Sequence, residues 1–385
     1  MSCNLSMEIY GHCDERFASL REEFERNFTQ RGDVGASFAA SVEGEVVVDI
    51  WGGHRDEAKT LPWEENTIVN VFSTTKTMTA LCALMLIDQG KLDTEEKVSN
   101  YWPEYAQNGK ENTLVRHFMG HTAGLPGFGE QLTEAQLYDW DTVIEVLARQ
   151  KPWYEPGTIC AYHALTQGYL VGELVRRITG LSLGTYFKEN VASKVDADFH
   201  IGLNPSEFDR TAEIISGGEM EMPEGVEIPQ FYLENLDGTP PMTQETWNGP
   251  GWRQAESPAA NGHANARAVV RAQTAVANGG SAFGVDFLSP QTIERIFEDQ
   301  GFIDGVGVNH GIGYGLGAGV GGAQGWGVPA GTKACFWGGA GGSSIVLDLS
   351  HRACFSYVMN QMSNDLLGDI RARSLGQRFY EGLVG

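Results

Sequence analysis

A serine and a lysine stand three residues apart in the segment VFSTTKTMTALCALMLIDQG, positions 71–90. The apolar run that follows them and the final Gly90 predict a buried helix that ends at this glycine. Residues three apart share a helix face, so the Ser73 hydroxyl and the Lys76 amine should meet at its first turn. A hydroxyl becomes a nucleophile when a base takes its proton, and a lysine with a depressed pKa can be that base. The alternative is a helix-capping serine beside a solvated lysine, because an isolated SxxK match is weak.

A second candidate is Tyr162, which follows a glycine turn and precedes the helical pattern TQGYLVGELVRRITG at 166–180. A phenol near a cationic lysine ionises more easily and can relay protons. For a lone tyrosine, a buried side chain with a satisfied hydroxyl is the commoner role.

A third candidate is CFWGGAGGSS at 335–344, where two glycine pairs stand at a predicted strand edge. Glycines there let a substrate approach the backbone, and a backbone N–H can point at an acyl oxygen. The alternative is a tight hairpin that needs glycine for its dihedral angles.

Several patterns argue against other enzymes. Gly317, Gly319 and Gly322 fit GxGxxG, but no βαβ unit surrounds them, so a dinucleotide site is not expected. The chain has no GxSxG elbow and no HExxH pattern, which disfavours an α/β-hydrolase and a metalloprotease. His121 and His163 can titrate, although a structural role is the favoured interpretation of each.

Composition limits the class of protein further. The 385 residues carry a net charge of −23, which disfavours nucleic-acid binding. No run of 18 apolar residues predicts a membrane span, and the N-terminal residues do not resemble a signal peptide. The six cysteines have no CxxC spacing and are interpreted as reduced thiols, so we expect a cytoplasmic protein.

The elements that must position these residues follow from periodicity. An amphipathic helix is predicted at 12–28 and a hairpin at 34–53 around Glu43-Gly44. Helical patterns dominate from about 80 to 275, with a long irregular region at 200–260. Short β runs return at 311–322, 334–350 and 353–362, before a final helix at about 364–383. Short turns between adjacent strands imply an antiparallel sheet, and the fold class is therefore α+β.

The motifs STTK, YHA and WGG occur in one order, and their spacing resembles the serine β-lactamase and penicillin-binding-protein superfamily. Further segments, among them GHTAGLP, YGLG and YVMNQM, are similar to the class C β-lactamase-like carboxylesterases of family VIII. The resemblance extends from about residue 34 to 380. It implies an α/β lobe (1–80 and 275–385) with an antiparallel sheet flanked by N- and C-terminal helices. It also implies an inserted, mostly helical lobe (81–274) with a cap-like region at 200–260.

The resemblance also implies roles at the matching positions. Ser73 would be the acylated nucleophile, and Lys76 and Tyr162 would share general-base work. The backbone N–H groups of Ser73 and Ala340 would form the oxyanion hole. We expect substrate contacts from the third motif and from aromatic or histidine side chains around it, namely Trp337, Gly338, Gly339, His163 and Trp252, with Trp247 and Phe231 as further candidates.

Two departures from the lactamase pattern bear on substrate choice. Trp337 stands where lactamases and peptidases usually carry a cation that holds a carboxylate, and Lys333 could partly compensate. Ala164 replaces the asparagine of the second motif. Both changes favour neutral esters over anionic β-lactams. The predicted function is a serine carboxylesterase for small esters, without cofactor or metal and without nucleic-acid or membrane partners. The alternatives are an acyltransferase, an amidase, a weak β-lactamase or a non-catalytic scaffold.

Overall fold

The computed structural model describes residues 8–218, 229–303, 307–316, 323–364 and 369–385. The strands of this part of the chain are β1 (Ile9–Cys13), β2 (Gly35–Val42), β3 (Glu45–Gly53), β4 (Val69–Asn70), β5 (His200–Ile201), β6 (Gly262–Ala264), β7 (Ser281–Ala282), β8 (Val285–Asp286), β9 (Gly301–Ile303), β10 (Val308–His310), β11 (Gly315–Leu316), β12 (Ala334–Gly338), β13 (Ser344–Asp348) and β14 (Ala353–Met359).

The α-helices of the same ranges are α1 (Ser19–Gln30), α2 (Thr75–Asp88), α3 (Val115–Met119), α4 (Glu134–Tyr138), α5 (Trp140–Arg149), α6 (Thr166–Thr179), α7 (Leu183–Asn190), α8 (Gln230–Glu234), α9 (Gln244–Asn248), α10 (Pro250–Gln254), α11 (Ala266–Ala277), α12 (Pro290–Arg295) and α13 (Ile370–Val384). Across these ranges, no helix has the length and apolar character needed to cross a bilayer.

Strands from both ends of the chain form one antiparallel sheet. Its order within the described residues is β1-β3-β2-β14-β13-β12-β11-β10-β9. The two chain ends join where β14 pairs with β2, in a register that runs from Ala353 opposite Val42 to Met359 opposite Ala36. The late strand β12, which carries the WGG motif, is therefore part of the same sheet as the early hairpin β2–β3.

Helices cover both faces of this sheet. Successive side chains of a strand point to opposite faces of the sheet. Two neighbouring residues of β14 show which helices lie on each face. The Cys354 thiol lies 3.6 Å from the Thr274 hydroxyl of α11, whereas the Phe355 ring packs 5.4 Å from Phe379 of α13. Helices α1 and α13 therefore lie on one side, in contact with each other, and α11 lies on the other.

Helix α2 is buried along nearly its whole length, in contact with α6, α7 and α11. A helix that is apolar on all sides belongs inside a protein, and α2 has this character after its first turn. Its buried threonines bond to backbone groups. The Thr79 hydroxyl donates to the Pro258 carbonyl oxygen at 2.6 Å, and the Thr75 hydroxyl accepts from the Gly262 N–H at 2.8 Å. These bonds hold the first two turns of α2 against β6 and the loop before it.

The predicted hairpin at 34–53, the helix that ends at Gly180 and the β runs after 334 are confirmed. The predicted helix at 12–28 is wrong in its first part, because Ile9–Cys13 pairs with β3 and the helix begins only at Ser19. Residues 317–322, which include the GxGxxG match, lie outside the described residues. The boundaries between the two lobes stay a prediction.

Candidate active site

The serine of the SxxK motif follows a residue in an unusual backbone conformation. Phe72 has a φ of 45°, in the left-handed region that bulky residues rarely occupy. Such a conformation costs on the order of 1–3 kcal/mol and persists only where the surroundings enforce it. Here Phe72 forms a β-bridge with Asn261, and its ring packs edge-on against Trp247 at 5.3 Å. The resulting turn presents Ser73 at the wall of a cavity, immediately before α2.

Two proton-carrying groups meet at the Ser73 hydroxyl. The Tyr162 hydroxyl donates a hydrogen bond to Ser73 Oγ at 2.7 Å, and Lys76 Nζ lies 3.4 Å from the same oxygen. Lys76 Nζ also lies 4.8 Å from the centre of the Tyr162 ring. The structure therefore brings together the three residues that the sequence motifs single out.

The Lys76 amine is buried, and burial favours its neutral form. Nζ donates to the carbonyl oxygens of Ala164 at 2.7 Å and Ala259 at 2.9 Å. In its neutral form the amine has two N–H donors for these carbonyls and one lone pair that can accept the Ser73 proton. Burial, which leaves Lys76 1% exposed, lowers the pKa of its amine well below the usual value of 10.5. Lys76 can therefore accept a proton from Ser73.

The Tyr162 phenol behaves differently from the sequence-based expectation. Burial raises the pKa of Tyr162 to about 12, although hydrogen bonding to Ser73 and the nearby Trp337 indole oppose this shift. The phenol is thus a proton donor near neutral pH, and the expectation of an easily ionised tyrosine is wrong.

A tight turn at residues 339–342, called the glycine turn below, lies against the start of α2. A β-carbon at Gly339 would lie 2.3 Å from the Val71 carbonyl oxygen and 3.0 Å from the Ser73 nitrogen, so only glycine fits. Within the described residues, neither the Ser73 N–H nor the Ala340 N–H donates to another group. Free backbone N–H groups are donors that can stabilise an oxyanion.

The cavity in front of Ser73 has a volume of about 370 Å³ and is mainly apolar. Its walls include Phe72, Leu165, Met242, Trp247, Trp252, Val308, Phe336, Trp337, Gly338, Gly339 and Ala340. In the described lining, Asp237 is the one charged side chain. The sequence did not single out Asp237, because an aspartate in a long irregular region has no pattern that marks it. Such a cavity suits a neutral organic group and repels an anion.

Two residues that the sequence associated with substrate lie elsewhere. His163 is fully buried, its ring nitrogens bond to the backbone of Leu125 and Ala161, and it does not line the cavity. Phe231 packs against Tyr154 rather than the cavity wall. These corrections share one cause: both side chains are held by neighbours behind or beside the cavity.

Lys333 does not compensate for the cation missing at Trp337. Its amine pairs with the Glu294 carboxylate at 2.5 Å and lies over the Phe297 ring. It precedes β12, roughly 13 Å along the strand from Trp337 at about 3.3 Å per residue. The expectation that Lys333 assists substrate binding is therefore wrong.

Two further histidines pack behind Trp337. The rings of His121 and His310 lie 4.7 Å apart, and His310 meets the Trp337 ring edge-on at 5.0 Å. Burial lowers the pKa of His310 to about 3 and that of His121 well below its usual value. Both imidazoles are neutral at physiological pH, so they add no positive charge to the site.

Residues 24–377 match the sequence model of the Beta-lactamase family. The chain belongs to the beta-lactamase family. This beta-lactamase-family chain is 35% identical over 311 residues to the esterase/beta-lactamase LipL of Mycobacterium tuberculosis (strain ATCC 25618 / H37Rv). The matched region covers 74% of this chain and 68% of LipL.

Solved structures show the same family and fold. A family VIII carboxylesterase shares 36% identity and a TM-score of 0.89, over 98% of this chain and 100% of that one. A penicillin-binding-protein homologue from Caulobacter crescentus shares 35% identity and a TM-score of 0.88, over 97% of this chain and 100% of that one. The predicted α+β, β-lactamase-like fold and the predicted family resemblance are therefore confirmed.

Proposed function

We propose that this protein is a serine carboxylesterase that hydrolyses small, uncharged carboxylic esters through an acyl-enzyme on Ser73. One observation carries the proposal: the buried Lys76 amine and the Tyr162 hydroxyl both contact Ser73 Oγ at the wall of an apolar cavity. The 35% identity to the esterase/beta-lactamase LipL and the 36% identity to a family VIII carboxylesterase structure support the same chemistry.

Acylation begins with removal of the Ser73 proton. Lys76 Nζ takes this proton while Oγ forms a bond to the ester carbonyl carbon. The carbonyl oxygen becomes an oxyanion, which accepts hydrogen bonds from the N–H groups of Ser73 and Ala340; one such donor is worth roughly 3 kcal/mol. The intermediate then collapses, and the bond from carbon to the alcohol oxygen breaks. Tyr162 gives its proton to this oxygen, and the Lys76 ammonium restores the phenol.

Restoring the phenol is favourable because the two pKa values lie far apart. Burial lowers the pKa of Lys76 and raises that of Tyr162 to about 12, so a proton moves readily from the ammonium to the phenolate. Deacylation repeats the steps with water as the nucleophile. Water loses a proton to Lys76, and Ser73 leaves with a proton from Tyr162.

The cavity indicates which esters fit. A volume of about 370 Å³ holds a short acyl chain, and the aromatic walls favour apolar groups. Because Asp237 is the one charged group of the described lining, a substrate carboxylate finds no cation there. Neutral esters should therefore react faster than anionic β-lactams. A cytoplasmic location and the two-lobe organisation remain predictions.

The test is hydrolysis of p-nitrophenyl butyrate by the wild-type protein and by Ser73→Ala. We expect turnover by the wild type and background rates for the variant. Thr239→Val is a matched control, since it removes another hydroxyl of the cavity wall and should retain activity. Equal activity of Ser73→Ala and the wild type would contradict the proposal. Products formed with an added alcohol would show whether acyl transfer competes with hydrolysis.

A further inference from the structure

A buried cluster of charged side chains lies directly behind the glycine turn. At its centre is Arg371 in the first turn of α13, whose side chain is 3% exposed. The guanidinium pairs with the carboxylates of Asp369 and Asp33, at 2.6 Å and 2.5 Å. The Asp33 and Asp369 side chains are 0% and 2% exposed. None of these residues has a part in the proposed chemistry.

The guanidinium also bonds to the backbone of the glycine turn. Nη2 donates to the Gly341 carbonyl oxygen at 3.0 Å, and Nη1 donates to the Gln361 carbonyl oxygen at 2.9 Å. With the two carboxylates, these carbonyls provide acceptors for all five N–H donors of the arginine. The second negative charge of the cluster is also satisfied, because the Tyr357 hydroxyl donates to both oxygens of Asp33, at 2.8 Å and 2.7 Å.

The glycine turn needs such support because its backbone is unusual. Gly341 and Gly342 have φ values of 83° and 122°, which place both in the region that favours glycine. A β-carbon at Gly342 would lie 2.6 Å from Asp369 Oδ2, so the cluster contacts the turn at two consecutive residues. The Ala340 N–H, which has no acceptor in the described part of the chain, immediately precedes these two glycines.

We propose that Arg371, held by Asp33 and Asp369, is a positioning residue that fixes the glycine turn so that the Ala340 N–H points at the oxyanion. A buried guanidinium is rigid and directional, which suits it to this role. The inference rests on the proposed esterase function, since it assigns a support to the oxyanion hole of that reaction. The competing explanation is that the cluster only attaches α13 to the rest of the fold.

Two variants and one control separate these explanations. Arg371→Lys removes the bidentate geometry and keeps the charge, whereas Asp33→Asn is nearly isosteric and removes one anchor. Arg31→Lys is the matched control, because Arg31 bonds Ser374 of α13 at 2.8 Å and Glu23 of α1 at 2.6 Å but makes no hydrogen bond to the glycine turn. If Arg371→Lys does not fold, Asp33→Asn carries the test.

The measurement compares p-nitrophenyl butyrate with the thionoester of the same acid, in which sulfur replaces the carbonyl oxygen. An oxyanion hole shaped for oxygen favours the ester over the thionoester. The ratio of the ester kcat/KM to the thionoester kcat/KM does not depend on how much of the protein is folded. We expect Arg371→Lys to lower this ratio by about ten-fold or more, mainly through kcat, because one oxyanion donor contributes about 100-fold or more. Asp33→Asn should lower it less, and Arg31→Lys should leave it unchanged.

Unchanged ratios in both cluster variants, with activity that still depends on Ser73, would overturn this inference alone. A wild-type protein without Ser73-dependent hydrolysis would overturn the proposed function as well. A fall of the same size in Arg31→Lys would show that any loosening of α13 disturbs the site, which contradicts a specific role for Arg371.

Discussion

Replacing Lys76 by Met should change how stability depends on pH. In the folded protein the amine is buried and its pKa lies well below 10.5, so it is neutral over much of the alkaline range. In the unfolded chain it titrates as an ordinary lysine, near pH 10.4. Between the two pKa values, the unfolded state therefore binds a proton that the folded state does not.

The sign and size of the effect follow from this proton. Because the unfolded state binds more protons, the free energy of unfolding rises with pH across the window between the two pKa values. One proton contributes about 1.4 kcal/mol per pH unit. Methionine keeps the chain length but does not titrate. Lys76→Met also leaves the Ala164 and Ala259 carbonyl groups without a donor. That change lowers stability by an amount that does not vary with pH.

The assay is urea unfolding of the wild type and Lys76→Met at several pH values between about 8.5 and 9.5, below the range in which unfolded lysine loses its proton. We expect the slope of unfolding free energy against pH to be lower in Lys76→Met by about 1.4 kcal/mol per pH unit. Comparing variants cancels the contributions of other groups, such as the buried Cys82, whose pKa is raised. Equal slopes would show that Lys76 is protonated in the folded protein and would refute the assignment of Lys76 as base.

Lys110 provides a matched control for this measurement. Its amine is buried and donates to the carbonyl oxygens of Ala148 and Gln150, and burial lowers its pKa to about 8. Lys110→Met should therefore reduce the slope above pH 8 by a similar amount. Unlike Lys76→Met, which should be inactive, it should retain ester hydrolysis, because Lys110 does not line the cavity.

Three further predictions concern activity. The kcat/KM for p-nitrophenyl butyrate should fall on the acid side as Lys76 becomes protonated, at a pH well below 10.5. It should not fall on the alkaline side below pH 10, because burial raises the pKa of Tyr162 to about 12. A pH–rate profile tests both limbs. Gly339→Ala should lower kcat about 100-fold, since its β-carbon would lie 2.3 Å from the Val71 carbonyl oxygen; steady-state kinetics at unchanged circular dichroism tests this. Asp237→Asn should raise the rate with p-nitrophenyl hemisuccinate, an anion, relative to the butyrate by about two- to five-fold; an unchanged ratio would contradict our account of the cavity charge.

Local signals explain which parts of the fold the sequence predicts. The hairpin at 34–53 has its turn at Glu43-Gly44, where both residues adopt positive φ, and Gly180 ends α6 with a φ of 74°. Strand β1 is harder to predict, because its pairing with β3 depends on a partner nearly forty residues away and its own residues are largely exposed. The sheet order is likewise set by long-range pairing that periodicity does not encode.

The same distinction applies to the site. The three-residue spacing of Ser73 and Lys76 predicts their contact, because helix geometry is local. The backbone carbonyl groups that bond Lys76 Nζ belong to Ala164 and Ala259, and a backbone acceptor has no sequence signature. The contacts of Arg371 are equally hidden, since they join residues 33, 341 and 371 from distant parts of the chain.

The most direct test of the central claim is to locate the acyl group. The protein would be mixed with p-nitrophenyl butyrate, quenched in acid during turnover and digested for peptide mass spectrometry. Our account predicts one butyryl group on the peptide that contains Ser73, on Ser73 itself. A butyryl group on another residue, or turnover that leaves Ser73 unmodified at every quench time while Ser73→Ala remains active, would contradict it.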